Sequence, residues 1–237
     1  MSHGIGLGLP FGGRLPVVVG PSIPTPALLY RRSLSDYQDV ARTTPAGVGA
    51  DVRSATDVAT SPHHLTRASG AVPTARSGGG LVFLGGSGNR AWLKSTLTIA
   101  PPFVVLVRCT APVVQDAYLL CDSSAPDNAR LRLNASYLDV VTSTGSTLVP
   151  IWAYDTTPRV LGLHINGASS KAYVDGVKTA YTAPTGVGYS AGVRVGSYVD
   201  DNAYGNVQSD ITDIGIWSGV FTDSDLDTLA AYLNAAP

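Results

Sequence analysis

The chain of 237 residues contains no glutamate; all 17 of its acidic side chains are aspartates. Lysine is nearly as scarce, occurring only at Lys94, Lys171 and Lys178. These two residue types normally fill exposed helix faces, so their scarcity argues against a helical protein. Charged residues make up 14% of the chain, well under the usual share of about 25%. The surface must then be covered by hydroxyl, amide, glycine and tyrosine groups, which suits strands and turns. No apolar run approaches the roughly 18 residues needed to span a bilayer. The opening Met1-Ser2-His3-Gly4-Ile5-Gly6 has no basic stretch leading into an apolar one, so no secretory signal is expected. Formal net charge is −1 and the basic residues form no long stripe, which excludes nucleic acid as an expected partner.

Glutamate's absence also removes the obvious enzymatic reading of an all-β chain. Sandwich glycosidases work with a pair of carboxylates, commonly two glutamates four apart on a strand in the pattern E-x-D-x-E. The nearest spacing here, Asp223-Ser224-Asp225-Leu226-Asp227, falls at the start of the one helix pattern. There the acids complement the helix dipole. No G-x-S-x-G elbow is present either. No catalytic residue is assigned, and the chain is read as non-enzymatic.

Present in abundance are 26 glycines and 16 prolines, the residues of turns. Met1–Ala27 is an extended Gly/Pro-rich arm. Its apolar residues Ile5, Leu7, Leu9 and Phe11 are interspersed with glycine, and the arm carries five prolines at Pro10, Pro16, Pro21, Pro24 and Pro26. Such a segment cannot form a core alone, yet it is too apolar for a solvated tail. It either docks on another subunit or drapes over its own domain. Residues 28–237 form the domain proper. Strand signals become regular from Leu81. Phe103–Cys109 is apolar on both faces, and Ala129–Asn134 alternates with period two. Asn134-Ala135-Ser136 and Asp175-Gly176 read as hairpin turns. If a turn also centres near Val113-Val114, Cys109 lies opposite Tyr118 on a neighbouring strand. The two cysteines, Cys109 and Cys121, read as buried thiols, with a disulfide as the alternative. A single helix begins with Thr222 as N-cap, continues through Leu226, Leu229, Ala230 and Leu233, and ends near Asn234. The expected fold is all-β: a two-sheet antiparallel β-sandwich (jelly roll), with the N-terminal arm and one short C-terminal helix.

Three stretches resemble one family. They are Asp57 through Gly80-Leu81-Val82-Phe83 and Gly85-Gly86-Ser87; the strand Phe103–Cys109; and Ala172-Tyr173-Val174-Asp175-Gly176, Val193-Arg194-Val195-Gly196 and Asp210–Asp225. In order and spacing they resemble the concanavalin-A-like (laminin-G-like) jelly-roll family. Asp210 and Asp213 stand where that family often has Gly and Glu. The first dozen residues resemble the starts of tailed-bacteriophage virion proteins.

Aromatics with amides and carboxylates suggest carbohydrate contact. The best cluster is Tyr198, Asp200, Asp201, Asn202 and Tyr204, with Tyr189 nearby; a second is Trp152 and Tyr154 beside Asp155. Trp92 and Trp217 lie within strand patterns and are expected in the core. Asp200 and Asp201 are also candidate calcium ligands, as relatives of this fold would imply; Asp116 and Asp122 flank another loop. No cofactor other than such a calcium ion is expected. His63-His64 lacks a third ligand and reads as a loop pair.

Two functions are expected. In the first, this is a virion structural protein (capsid decoration, tail or fibre), assembled in the host cytoplasm. Its partners are other virion proteins and copies of itself. The alternative is a glycan-binding, lectin-like adhesion module for a host-surface glycan.

Overall fold

The computed structural model describes residues 22–32, 36–67, 70–85, 91–111, 116–123, 129–134, 137–142, 145–150, 155–183, 186–197 and 207–235. In chain order its strands are β1 (Leu28–Arg31), β2 (Asp36–Tyr37), β3 (Ser54–Ala55), β4 (Leu65–Thr66), β5 (Thr74–Ala75) and β6 (Leu81–Leu84). Then come β7 (Leu93–Lys94), β8 (Phe103–Ala111), β9 (Asp116–Asp122), β10 (Arg130–Asn134), β11 (Tyr137–Thr142) and β12 (Gly145–Pro150). The last are β13 (Asp155–Ile165), β14 (Ser170–Val174), β15 (Val177–Tyr181), β16 (Val193–Val195) and β17 (Gln208–Ser218), followed by helix α1 (Asp223–Asn234).

These strands make two antiparallel sheets. Sheet A runs β15-β14-β13-β8-β17-β6-β5, with β1 also paired to β17. Sheet B runs β12-β11-β10-β9-β16-β7-β4-β3-β2. The β-sandwich expectation holds. The helix packs on the outer face of sheet A, so that sheet is covered twice. Along β8, Val105, Val107 and Cys109 enter the core between the sheets, while Val104 and Leu106 meet Leu226, Leu229 and Leu233 of α1. This double burial is why Phe103–Cys109 carries no polar alternation. β1 follows the same rule: Leu28 and Tyr30 face the inner core and Leu29 the helix side, and all four residues are buried.

Local signals explain the turns and the cap. Asp175 and Gly176 have φ of 44° and 91°, the doubly positive pair that a tight hairpin requires. Thr222 accepts from the Asp225 amide while the Asp225 carboxylate accepts from Thr222, closing a capping box. Asp223 and Asp227 pair with Lys171 and Lys178 on the neighbouring hairpin. Two of the chain's three lysines thus seat the helix. At Gly215 a Cβ would lie 2.1 Å from the Trp217 ring, so the indole lies flat over the backbone beneath the helix.

Some expectations change. β8 and β9 are not a hairpin: β8 belongs to sheet A and β9 to sheet B, so Cys109 does not face Tyr118. The β8 edge is satisfied by β13 and β17 instead. Both cysteines are free and buried, and burial pushes each thiol up to about 12. Of the arm, residues 22–27 lie against their own domain: Ile23 packs on the helix-side cluster and the Ala27 amide donates to Ile216 O. Ile5, Leu7, Leu9 and Phe11 lie outside the described residues.

Asp213, wholly buried, gathers three arginines, two from the end of β1 and the residue after it and one from β8. Arg31 Nε lies 2.9 Å from Oδ1, Arg32 Nη1 2.9 Å from Oδ2, and Arg108 Nη1 3.9 Å away. Arg31 and Arg32 also donate to Ala235 O at the end of α1, and Arg31 stacks on Tyr232. A second buried acid, Asp36, accepts from the Tyr30 hydroxyl at 3.1 Å. Burial pushes its carboxyl up to about 7.

Two outcomes follow. Asp213→Ala leaves buried guanidinium groups without their counter-charge and should cost about 3–5 kcal/mol, against less than about 1 kcal/mol for the exposed-pair variant Asp116→Ala. Denaturant unfolding of both checks this; equal losses would contradict it. For Asp36, the folded carboxyl holds its proton more tightly than the unfolded one. Its contribution is therefore full below about pH 4 and is lost as pH rises to about 7, by at most roughly 4 kcal/mol. The stability difference between wild type and Asp36→Asn should slide over that window; a difference constant from pH 4 to 8 would refute the assignment.

Candidate functional site

The helix α1 covers sheet A, and among the described residues no helix covers sheet B, whose outward side chains range from partly exposed to buried. On β10, Arg130 and Arg132 alternate with the core residues Leu131 and Leu133, so the arginines point outward. On β9, Tyr118 sits between the core residues Ala117 and Leu119; on β16, Arg194 sits between Val193 and Val195. Just before β7, Trp92 sits between Ala91 and Leu93. Four adjacent strands thus set three arginines and two aromatics on one face.

The groups stack on each other. The Arg67 and Arg194 guanidinium carbons each lie 4.0 Å from the centre of the Trp92 ring. Arg130 and Arg132 lie 5.5 and 5.6 Å from the centre of the Tyr118 ring. These are cation–π distances. Arg132 also forms a two-point ion pair with Asp116. Trp92 is therefore a half-buried surface residue and not a core one, since the guanidinium planes cover it in place of apolar side chains. Trp217 is in the core as expected. Stacked guanidinium groups direct their N–H donors edgewise, the geometry that recognises carboxylates and paired oxygens.

The same end of the sandwich anchors the loops singled out from the sequence. Tyr198, Asp200, Asp201, Asn202, Tyr204, Trp152 and Tyr154 all lie outside the described residues; their flanking residues do not. The first segment is bounded by Ser197 and Val207, where the Val207 amide donates to Gly196 O at 2.9 Å. The second is bounded by Pro150 and Asp155, and Asp155 pairs with Ala111 at the end of β8. From Ala111 the chain crosses to β9, which begins at Asp116, two residues before Tyr118. Antiparallel pairing therefore brings both boundaries, and the Tyr118 and Trp92 stacks, to one end. Asp155 itself has its carboxyl held below the usual range, first by the Thr157 amide and, against the cost of burial, by Arg159.

Other sequence candidates separate. Tyr189 is fully buried against Phe103, ring centres 5.5 Å apart, and joins no surface cluster. Asp122 is buried and accepts from the Ser190 amide and hydroxyl, at the opposite end of β9 from the exposed Asp116. The two cannot share a cation. Among the described residues no group of three potential metal ligands comes together. His64 Nδ1 accepts from the Asp57 amide at 3.1 Å, and Asp57 accepts from the His63 amide, so the pair shapes a loop. A cavity of about 270 Å³ lies beside Thr98, Ile99, Gly188 and Ser190, without a charged side chain in its wall.

No family model matches the sequence, and a search of curated proteins finds no match. Solved structures do match the fold. A Trypanosoma rangeli sialidase in complex with sialic acid aligns with a TM-score of 0.62 and 16% identity, over 93% of this chain and 35% of that one. A botulinum neurotoxin type C structure, whose description ties cell entry to interaction with two ganglioside molecules, aligns at 0.59 and 11%, over 86% and 51%. The type G receptor-binding domain aligns at 0.58 and 10%, over 85% and 51%. This chain spans only about a third to a half of those proteins. At these identities the likeness shows the β-sandwich fold.

Proposed function

We propose that the domain is a non-catalytic, glycan-binding module that takes acidic saccharides at the arginine–aromatic end of sheet B. The observation that carries this reading is the paired stacking of Arg67 and Arg194 on Trp92, and of Arg130 and Arg132 on Tyr118, on adjacent strands. Guanidinium forks suit the carboxylate of an acidic sugar, and tyrosine and tryptophan edges suit its ring. Stacking holds the forks in place before ligand arrives, which lowers the ordering cost of binding. Fold neighbours described with sialic acid and with gangliosides support the same class of ligand. Tyr198–Tyr204 and Trp152–Tyr154 would extend the surface, since their flanking residues stand at that end. A calcium ion on Asp200 and Asp201 remains part of this proposal only as an aid to that segment.

No observation favours the virion-assembly reading over this one. It rests on an arm whose described part, residues 22–27, lies on its own domain.

The test is a glycan array with sialylated and neutral oligosaccharides. Sialylated glycans should bind. Trp92→Ala, and separately Tyr118→Ala with Arg132→Ala, should weaken them at least tenfold, about 1.4 kcal/mol. Lys171→Ala on the helix side should leave binding unchanged. An array without sialylated hits, or hits indifferent to both variants, would overturn the reading.

A further inference from the structure

A second cavity of about 270 Å³ opens where the edges of the two sheets meet, between β2 and the turn joining β5 to β6. It is separate from the arginine–aromatic stacks: none of Arg67, Trp92, Tyr118, Arg130, Arg132 and Arg194 lines it. Its wall is divided in kind. One part is apolar: Pro45, Ala46, Val48 and Ala75. Val48 is 74% exposed, an unusual position for a valine. The other part is polar, with Asp36 and Arg76. Gly78 and Gly79 complete it with bare backbone.

Asp36 is the informative residue. It is 8% exposed. Its Oδ2 accepts from Tyr30, but its Oδ1 has no hydrogen-bond partner. An orphaned buried carboxyl oxygen is costly and calls for a hydrogen-bond partner; with this carboxyl raised to about 7, that partner must be able both to donate and to accept, as a hydroxyl can. Arg76, by contrast, is already paired to Asp210 at 2.7 Å, so it contributes N–H donors without a surplus charge. An acidic ligand would therefore meet a carboxyl with no balancing cation. A purely apolar ligand would leave Oδ1 unsatisfied. What fits is a ring with several hydroxyl donors and an apolar C–H face. The volume lies just under the range of about 300–1,000 Å³ that holds drug-sized ligands, which suits one sugar ring.

We infer that this cavity is a second saccharide subsite, taking one neutral hexose, with hydroxyls on Asp36 and Arg76 and the C–H face against Val48 and Ala75. The inference rests on the glycan-binding reading for its ligand class, but uses a separate surface. A hydroxyl donated to Oδ1 supplies the bond the carboxyl lacks, while Arg76 donates to a neighbouring ring oxygen. Gly78 has open space above it, so the ring can approach the backbone closely.

The experiment titrates the full chain with methyl α-glucoside, methyl α-galactoside and methyl α-mannoside, followed by amide chemical shifts in NMR. At least one hexoside should move the amides of Ala46, Val48 and Gly78. Val48→Trp, which fills the mouth from an exposed position and should fold, should abolish those shifts. Asp36→Asn should weaken the same hexoside at least tenfold. Neither variant should alter binding of a sialylated trisaccharide at the arginine–aromatic end. Absence of hexoside shifts at these residues, or shifts that survive Val48→Trp, overturns the inference. If the sialylated ligand still binds in that case, the proposed function stands and only this subsite falls.

Discussion

The structure turns on one buried carboxylate. Asp213 has no exposed surface, and Arg31, Arg32 and Arg108 converge on it. The guanidinium groups come from two stretches: Arg31 ends β1 and Arg32 follows it, while Arg108 lies on β8. The first two also hold the last turn of α1 through Ala235 O. Placing cations at the negative end of a helix adds to the attraction. A group of charges this deep is tolerable only while complete, because removing the acid strands the bases. It locks strand, sheet and helix in a single arrangement. Asp213 sits where β17 changes register against β8, between Ile211 and Asp213. That irregularity turns the carboxylate to the helix side, while Ile211 and Ile214 both enter the core.

This lock decides where function can reside. With α1 laid over sheet A, Trp217 on the outer face of that sheet is buried with Leu226 and Leu233 of the helix. Among the described residues no helix lies over β7, β9, β10 and β16. Of the outward positions there, Trp92, Tyr118, Arg130 and Arg132 are partly exposed and Arg194 is buried. A chain with three lysines and no glutamate fills them with arginine and aromatics. Arginine tolerates stacking and partial burial better than lysine, being more weakly hydrated and planar. The composition that excluded a helical protein thus also shapes the binding face.

Much of the fold was legible from local rules. The alternation of Arg130, Leu131, Arg132 and Leu133 set both strand and outward face, Asp175-Gly176 set its hairpin, and Thr222 set the helix start. All three depend on neighbours within a few residues. What was not legible depends on distant partners. Nothing around Val113-Val114 says that the chain leaves one sheet for the other there. Leu28–Tyr30 shows no apolar–polar alternation because both its faces are buried, one by the sandwich and one by the helix. Trp92 looks like a core tryptophan because its neighbours Ala91 and Leu93 are core; the stacking arginines, Arg67 and Arg194, lie 25 residues before it and 102 after it. Asp36 gives no signal at all in sequence, since its burial depends on the segment 45–48 and the turn 76–79. The aromatic loop clusters were found from composition, and the fold brings their flanking residues to a single end.

The central claim is that acidic glycan binds at the Trp92 and Tyr118 stacks of sheet B. A crystal structure of the full chain soaked with a sialylated trisaccharide tests it most directly. The account predicts ligand density with the carboxylate within hydrogen-bond distance of Arg67, Arg130, Arg132 or Arg194. Density confined to the helix side of sheet A, or none on sheet B at a concentration that saturates binding in solution, would contradict it.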